Sequence, residues 1–164
     1  MSDESVSFEL MVDGKPRTVK DAWWFESLLA VLRDRLGVYG PKLACGHGRC
    51  GACAVRIDGH LACACLMPAA AAAGADVETV ASLADADGAL SDVQQAFVDA
   101  GAVQCGYCTP GFVLAVTDLL DRNPDPAREE TLEALYGNVC RCTGYGRILA
   151  AVELAAQRRQ GVDS

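Results

Sequence analysis

Cysteine is the residue best suited to chemistry in this 164-residue chain: nine thiols gather in two regions, five from Cys45 to Cys65 and four from Cys105 to Cys142. Cys45, Cys50 and Cys53 follow the spacing C-x4-C-x2-C. Completed by a more distant fourth thiol, that spacing is the pattern of plant-type [2Fe–2S] ligation. Gly46, Gly48 and Gly51 between them let the backbone wrap closely and leave no Cβ to strike an inorganic sulfide. In the second region Cys105-Gly106-Tyr107-Cys108 and Cys140-Arg141-Cys142 are two close pairs. Four thiolates so arranged suit a second [2Fe–2S] centre or, on spacing alone, a structural zinc ion. His47 lies in the first loop and His60 follows an Asp-Gly turn. A Rieske centre needs two imidazoles on one iron, so neither is taken as a ligand.

Composition narrows the setting. Apolar residues make up 51% and charged residues 22%, which excludes a mainly disordered chain. A net charge of −8 argues against nucleic acid, whose phosphates call for a basic face. An odd number of cysteines in an acidic chain without a secretory signal favours metal ligation over a disulfide framework. The longest uncharged apolar stretch, residues 61–75, contains Pro68 and Gly74 and is too short to span a bilayer. The expected location is cytoplasmic, with export only as a passenger on a partner. No nucleophile–base set and no paired carboxylates can be identified, so substrate chemistry is not expected on this chain.

The elements that must position the first thiols are read from period and turn chemistry. Val6, Phe8, Leu10 and Val12 alternate as one face of a strand, and Asp13-Gly14 predicts a hairpin to a return strand over Lys15–Lys20, with Pro16 marking a sheet edge. Asp21 is the expected N-cap of a helix whose apolar face is Phe25, Leu28, Leu29, Leu32 and Leu36, closed by Gly37. After the Cys loop, residues 54–57 predict a short strand, Asp58-Gly59 a second hairpin, and residues 61–66 its return. Alternation puts Cys63 and Cys65 on the same face, so period does not choose between them as fourth ligand.

Beyond the acidic connector at residues 85–89 the period becomes helical. Ser91 is the expected N-cap of a helix with Val93, Ala96, Phe97 and Ala100 on one face, closed by Gly101. Thr109-Pro110 opens the next helix, with Phe112, Val113, Val116, Leu119 and Leu120 inward until Asn123-Pro124. Leu132, Leu135 and Tyr136 mark a short third helix, and Ile148, Leu149, Val152, Ala155 and Ala156 a fourth. Helix, Cys pair, Thr, helix occurs twice, which predicts a four-helix bundle with pseudo-twofold symmetry and each Cys pair at a helix N-terminus. There unpaired N–H groups and the helix dipole favour an anionic centre.

Three segments together resemble the iron–sulfur small subunit of the xanthine oxidase family of molybdenum hydroxylases. They are residues 45–69, which end in Cys65-Leu66-Met67-Pro68-Ala69, residues 104–111 and residues 137–145. The resemblance implies an α+β chain: a β-grasp, plant ferredoxin-like domain over residues 1–82, and an all-α four-helix bundle over residues 83–164. It implies Cys45, Cys50, Cys53 and Cys65 on one [2Fe–2S] cluster, with Cys63 a spare thiol, and Cys105, Cys108, Cys140 and Cys142 on the other. Gln104 and Cys142 are then expected to approach the pterin. The implied function is electron transfer, from molybdenum–molybdopterin cytosine dinucleotide on a large partner subunit to the helical cluster, the ferredoxin-like cluster and an acceptor. That acceptor is FAD on a third subunit in many relatives and a cytochrome or another carrier in others, and the assembly is expected to be a dimer of heteromers. The substrate pocket belongs to the partner, and these motifs are shared by enzymes of N-heterocycles, purines, aldehydes and aromatic thioesters. The rival readings are a free ferredoxin-like carrier and a zinc-stabilised interaction module. Trp23-Trp24-Phe25 departs from the family pattern and fits either a hydrophobic staple or a subunit interface.

His47 stands where relatives often carry an acidic residue, and a positive side chain there favours the more negative, reduced state of a cluster. Redox titration of His47→Glu is therefore expected to lower the midpoint of the plant-type signal, and an unchanged or raised midpoint would contradict this.

Overall fold

A computed structural model describes residues 5–161. The outer ends of the two expected domain ranges, residues 1–4 and 162–164, lie outside the described residues. Strands β1 (Ser5–Val12) and β2 (Lys15–Trp23) form an antiparallel hairpin across Asp13-Gly14, both at positive φ (50° and 70°), as a tight two-residue hairpin turn requires. Helix α1 (Leu28–Ala30) runs on into a π-helical turn, Val31–Arg35, and Gly37 at φ 69° ends it. Strands β3 (Ala54–Ile57) and β4 (His60–Cys63) form the second hairpin, and β5 (Asp76–Glu78) lies between β1 and β3. The sheet order is β2-β1-β5-β3-β4, parallel only between β1 and β5. Pro16 therefore sits on an edge strand, where its missing N–H leaves no ladder bond unmade.

Leu10, Val12, Val19, Val55 and Val77 of the sheet and Leu28, Leu29, Val31 and Leu32 of the helix make one buried core. Two expectations shift here. Asp21 is not a helix N-cap but sits inside β2 at φ 50°, where the register slips by a bulge and its N–H donates to Ser7 Oγ at 3.1 Å. Ser27 takes the capping role, its hydroxyl accepting from Ala30 N–H at 3.2 Å. Phe25 consequently lies outside the helix and is 52% exposed, in edge-to-face contact with Trp23 and Trp24.

Four helices carry the rest: α2 (Asp92–Asp99), α3 (Thr109–Arg122), α4 (Arg128–Leu135) and α5 (Gly146–Arg159). They share a second core built on Val93, Phe97, Phe112, Val116, Leu120, Ile148 and Val152, separate from the first. Ser91 caps α2 as expected, in a reciprocal capping box with Gln94. Helix α3 starts one residue early, with Cys108 itself at the N-cap position and Thr109 and Pro110 already helical. In α4 the buried side chains are Thr131 and Leu135, while Leu132 and Tyr136 face outward at 48% and 91% exposure. Among the described residues no helix is long and apolar enough to cross a membrane.

Arg158 and Arg159, in the last turn of α5, tie helices together. Arg158 donates to Asp99 at 2.6 Å, and Arg159 holds both Asp92 of α2 and Asp121 of α3. For Asp92, burial raises the pKa, but hydrogen bonds from Arg159 and from the Val93 N–H, with the Arg159 charge, leave it lowered. A depressed carboxylate stabilises the fold above its unfolded pKa of about 3.9 and loses that contribution as pH falls through the folded value. Asp92→Asn is expected to cost about 0.5–1 kcal/mol near neutral pH, the half-exposed pair being screened. The gap in urea midpoint between the two proteins is expected to close as pH is lowered from about 5 to about 3. A gap independent of pH would mean that the charge contributes nothing.

Candidate metal centres

The first turn of α1 leaves orphan N–H groups, and the segment holding Cys65 supplies their acceptors. Leu28 N–H donates to Met67 O at 2.8 Å, Leu29 N–H to Ala64 O at 2.9 Å, and Ala69 N–H returns to Glu26 O at 2.7 Å. Cys65 is thus held in a turn just past β4, while Cys63 is the last residue of that strand, opposite Ala54. The Cys63 thiol points at Gly48 O, 3.8 Å away. Burial first, then the charges of Cys65, Cys45 and Cys50, push its pKa up despite a hydrogen bond with Cys53.

The loop from Cys45 to Cys53 turns on three left-handed glycines, Gly46, Gly48 and Gly51, at φ 66°, 67° and 69°. This folding aims two backbone N–H groups, those of His47 and Arg49, at Cys45 Sγ, each at 3.4 Å. These two bonds, with a hydrogen bond from Cys50, bring Cys45 down to about 6. Cys53 is buried, and desolvation with the neighbouring Cys65 pushes it up to about 12. His47 and His60 are exposed, and His60 Nδ1 lies 3.0 Å from Asp58 O.

Cys105, Cys108, Cys140 and Cys142 line one cavity of about 160 Å³, together with Cys50 of the first loop and Tyr107. Cys142 Sγ is 3.6 Å from Cys105 Sγ, and this contact raises the Cys142 pKa. For Cys140, burial raises the pKa, but the Thr143 hydroxyl at 3.2 Å and its N–H at 3.4 Å lower it to about 7. Cys108 is pushed up to about 12 by burial and by Cys140. Cys105 and Cys142 are exposed, as is Gln104 beside them. The Tyr145 hydroxyl accepts from Cys140 N–H at 3.1 Å and the Tyr107 hydroxyl donates to Leu43 O at 2.5 Å. The fold thus puts both tyrosine hydroxyls to work as hydrogen-bonding groups beside the thiols.

Among the described residues no three His, Cys, Asp or Glu side chains converge as they would on a single ion. A two-iron cluster asks for something else, two thiolates on each iron, and the second set is grouped as Cys105 with Cys142 and Cys108 with Cys140. The donor set fits such a cluster: soft thiols, one in each set already drawn toward thiolate, N–H donors aimed at sulfur, and a loop free of Cβ atoms on its tight turns. The thiols held up by burial give their protons away only when metal binds.

The two sets are joined by backbone. Val139 N–H donates to Cys50 O at 3.0 Å, linking the residue next to Cys140 with a cysteine of the first loop. A Cβ on Gly111 would lie 2.1 Å from Gly51 O, and one on Gly51 would lie 2.3 Å from Asn138 Nδ2. Glycine at both positions is what allows this approach. The sequence signal was present in Gly51 and Gly111, but nothing in the spacing says that the two meet.

Residues 10–84 match a family described as 2Fe-2S iron-sulfur cluster binding domain, and residues 79–153 one described as [2Fe-2S] binding domain. Over 150 residues the chain is 47% identical to the nicotine 6-hydroxylase small subunit of Paenarthrobacter nicotinovorans, covering 91% of this chain and 88% of that one. It is 48% identical over 131 residues to the nicotinate dehydrogenase small FeS subunit of Eubacterium barkeri, covering 80% and 83%. Among solved structures, a chain of quinoline 2-oxidoreductase from Pseudomonas putida 86 superimposes with a TM-score of 0.86 at 35% identity, covering 98% of this chain and 99% of that chain.

The glycine contact yields a clear expectation. Gly111→Ala puts a methyl into backbone that cannot swing aside, so it is expected to destabilise by about 1–3 kcal/mol in urea unfolding. Gly146→Ala, where a methyl meets nothing within 4 Å, is expected to be neutral or slightly stabilising. Equal effects at the two sites would contradict the close approach.

Proposed function

The chain belongs to the iron–sulfur small subunits of the xanthine oxidase family of molybdenum-dependent oxidoreductases, and from that premise we propose that it relays electrons between two centres of its own. It takes electrons from molybdenum–molybdopterin cytosine dinucleotide on a large partner subunit at Cys105, Cys108, Cys140 and Cys142. It passes them to Cys45, Cys50, Cys53 and Cys65, and from there to FAD on a third subunit, a cytochrome or another carrier. When bound, each [2Fe–2S] centre supplies a one-electron redox couple. The single observation that carries this reading is the Val139 N–H to Cys50 O bond, a direct backbone link between the two thiol sets.

The chain's residues have separate tasks in that relay. His47 and Arg49 N–H groups and the Thr143 hydroxyl stabilise negative sulfur, which raises a reduction potential. The exposed trio of Gln104, Cys105 and Cys142 forms the face offered to the large subunit, with Gln104 and Cys142 nearest the pterin. Two separate cores and the helix–Cys pair–helix repeat support a division near residues 82 and 83 and a pseudo-twofold four-helix bundle in the second part. The named relatives act on nicotine, nicotinate and quinoline, so an N-heteroaromatic substrate on the partner is the reading they favour. A dimer of heteromers in the cytoplasm completes the proposal.

Two measurements test it. Iron and acid-labile sulfide analysis is expected to give about four Fe per chain and no zinc. Cys65→Ser is expected to abolish the plant-type signal in electron paramagnetic resonance, and Cys63→Ser to leave it. The reverse pattern would make Cys63 the ligand, and zinc in place of iron would end the relay reading.

A further inference from the structure

Helix α3 is fastened to the first half of the chain at both of its ends. Near its N-terminal end Gly111 abuts Gly51 O. About 15 Å further along the axis, the Asp121 carboxylate accepts from Arg56 Nη2 of β3 at 2.7 Å. Arg56 is an unusual residue for a strand beside a helix. Its side chain is only 13% exposed, and its Nε is buried with no hydrogen-bond partner. A buried guanidinium is tolerated when a counter-charge accompanies it and is costly when the counter-charge is removed. Asp121 is also shared, since Arg159 Nη1 donates to its other oxygen at 2.9 Å while Arg159 holds Asp92. Asp92, Arg159, Asp121 and Arg56 thus form one chain of charges running from α2 through α5 and α3 to the sheet.

We propose that Asp121 is a positioning residue for the relay: its ion pair with Arg56 latches α3 onto β3 and so keeps the second thiol set in register with the first. Cys108 is the N-cap of α3, so the latch acts on the thiols along a single rigid element. Without the Asp121 charge, Arg56 gains by turning toward water, and the C-terminal end of α3 is free to lift from the sheet. The Gly111–Gly51 contact is then the pivot, and the bond from Val139 to Cys50 lies beside it. An open cleft of about 440 Å³, lined by Arg56, His60, Leu61, Asp118, Asp121 and Arg122, flanks the pair. Water and ions therefore reach it, which makes the latch sensitive to ionic strength. Asp118 and Arg122 pair at 2.9 Å within α3 alone and do not cross to the sheet.

The latch serves electron transfer only if the relay reading holds, whereas its geometry belongs to this chain alone. The test compares Asp121→Asn with Asp118→Asn in the whole chain carrying its iron. Amide hydrogen exchange at Val139 reports the joint between the halves, and magnetic coupling between the two reduced centres reports their separation. Asp121→Asn is expected to speed Val139 exchange roughly fivefold relative to core amides of α2 and α5, and to weaken the coupling with iron content unchanged. Asp118→Asn is expected to do neither, although it removes the same charge from the same helix. Raised ionic strength on the unaltered chain is expected to move Val139 in the direction of Asp121→Asn, which keeps the test available should that variant not fold. Unchanged Val139 exchange in Asp121→Asn or under salt, or an equal response in Asp118→Asn, would overturn the latch. If the unaltered chain holds fewer than two iron centres, the relay reading falls and Val139 exchange still decides the latch.

Discussion

Two peptide units meeting without a side chain between them govern this structure. Gly111 at the start of α3 faces Gly51 O in the cysteine loop at a distance no Cβ could share. Because the backbones touch, Val139 N–H reaches Cys50 O, Tyr107 reaches Leu43 O, and Cys50 joins the wall of the cavity lined by the second thiol set. A larger residue at either glycine would push the thiol sets apart. Tunnelling depends steeply on separation, so a joint made of backbone suits a relay better than one made of flexible side chains.

The same economy organises each thiol set. Orphan N–H groups at the first turn of α1 are satisfied by carbonyls of residues 64 and 67, so capping the helix and placing Cys65 are one act. In the second part the N-cap of α3 is Cys108 itself. At α1, structural need and chemical need thus draw on the same segment, since the carbonyls that satisfy its first-turn N–H groups flank Cys65. Within the first set Cys45 is drawn toward thiolate while Cys53 is held protonated by burial. On the proposed ligation the loop would offer one ready ligand and one that commits only when metal arrives.

Much of this was legible in the sequence because it is local. Asp13-Gly14 and Asp58-Gly59 specify their turns by φ alone, Ser91 specifies a helix cap, and the cysteine spacing specifies a cluster loop. What failed was equally specific. Asp21 looks like a cap because it is an Asp before an apolar run, yet a bulge in β2 claims it. Of Leu132, Leu135 and Tyr136, which look inward by period, only Leu135 is buried, with Thr131 beside it, since periodicity identifies an apolar stripe without knowing which side has a partner. Arg56, Asp121 and Arg159 are far apart in sequence, and no local pattern says that they form one network.

Exposure divides the two thiol sets in a way that follows from their surroundings. Cys53 is buried beneath the sheet core and Cys45 and Cys50 are half-covered, whereas Cys105 and Cys142 are open to solvent. Two side chains that line the same cavity, Tyr107 and Val139, stay 45% and 51% exposed beside the open pair. An iron–sulfur centre left wet loses the low-dielectric shell that sets its potential. A rim of unburied apolar residues about two open thiols is therefore an unfinished enclosure, as the large-subunit docking proposed above requires. The first set needs no such completion on its inner side, because the second half of the chain already covers it through Asn138, Val139 and α3.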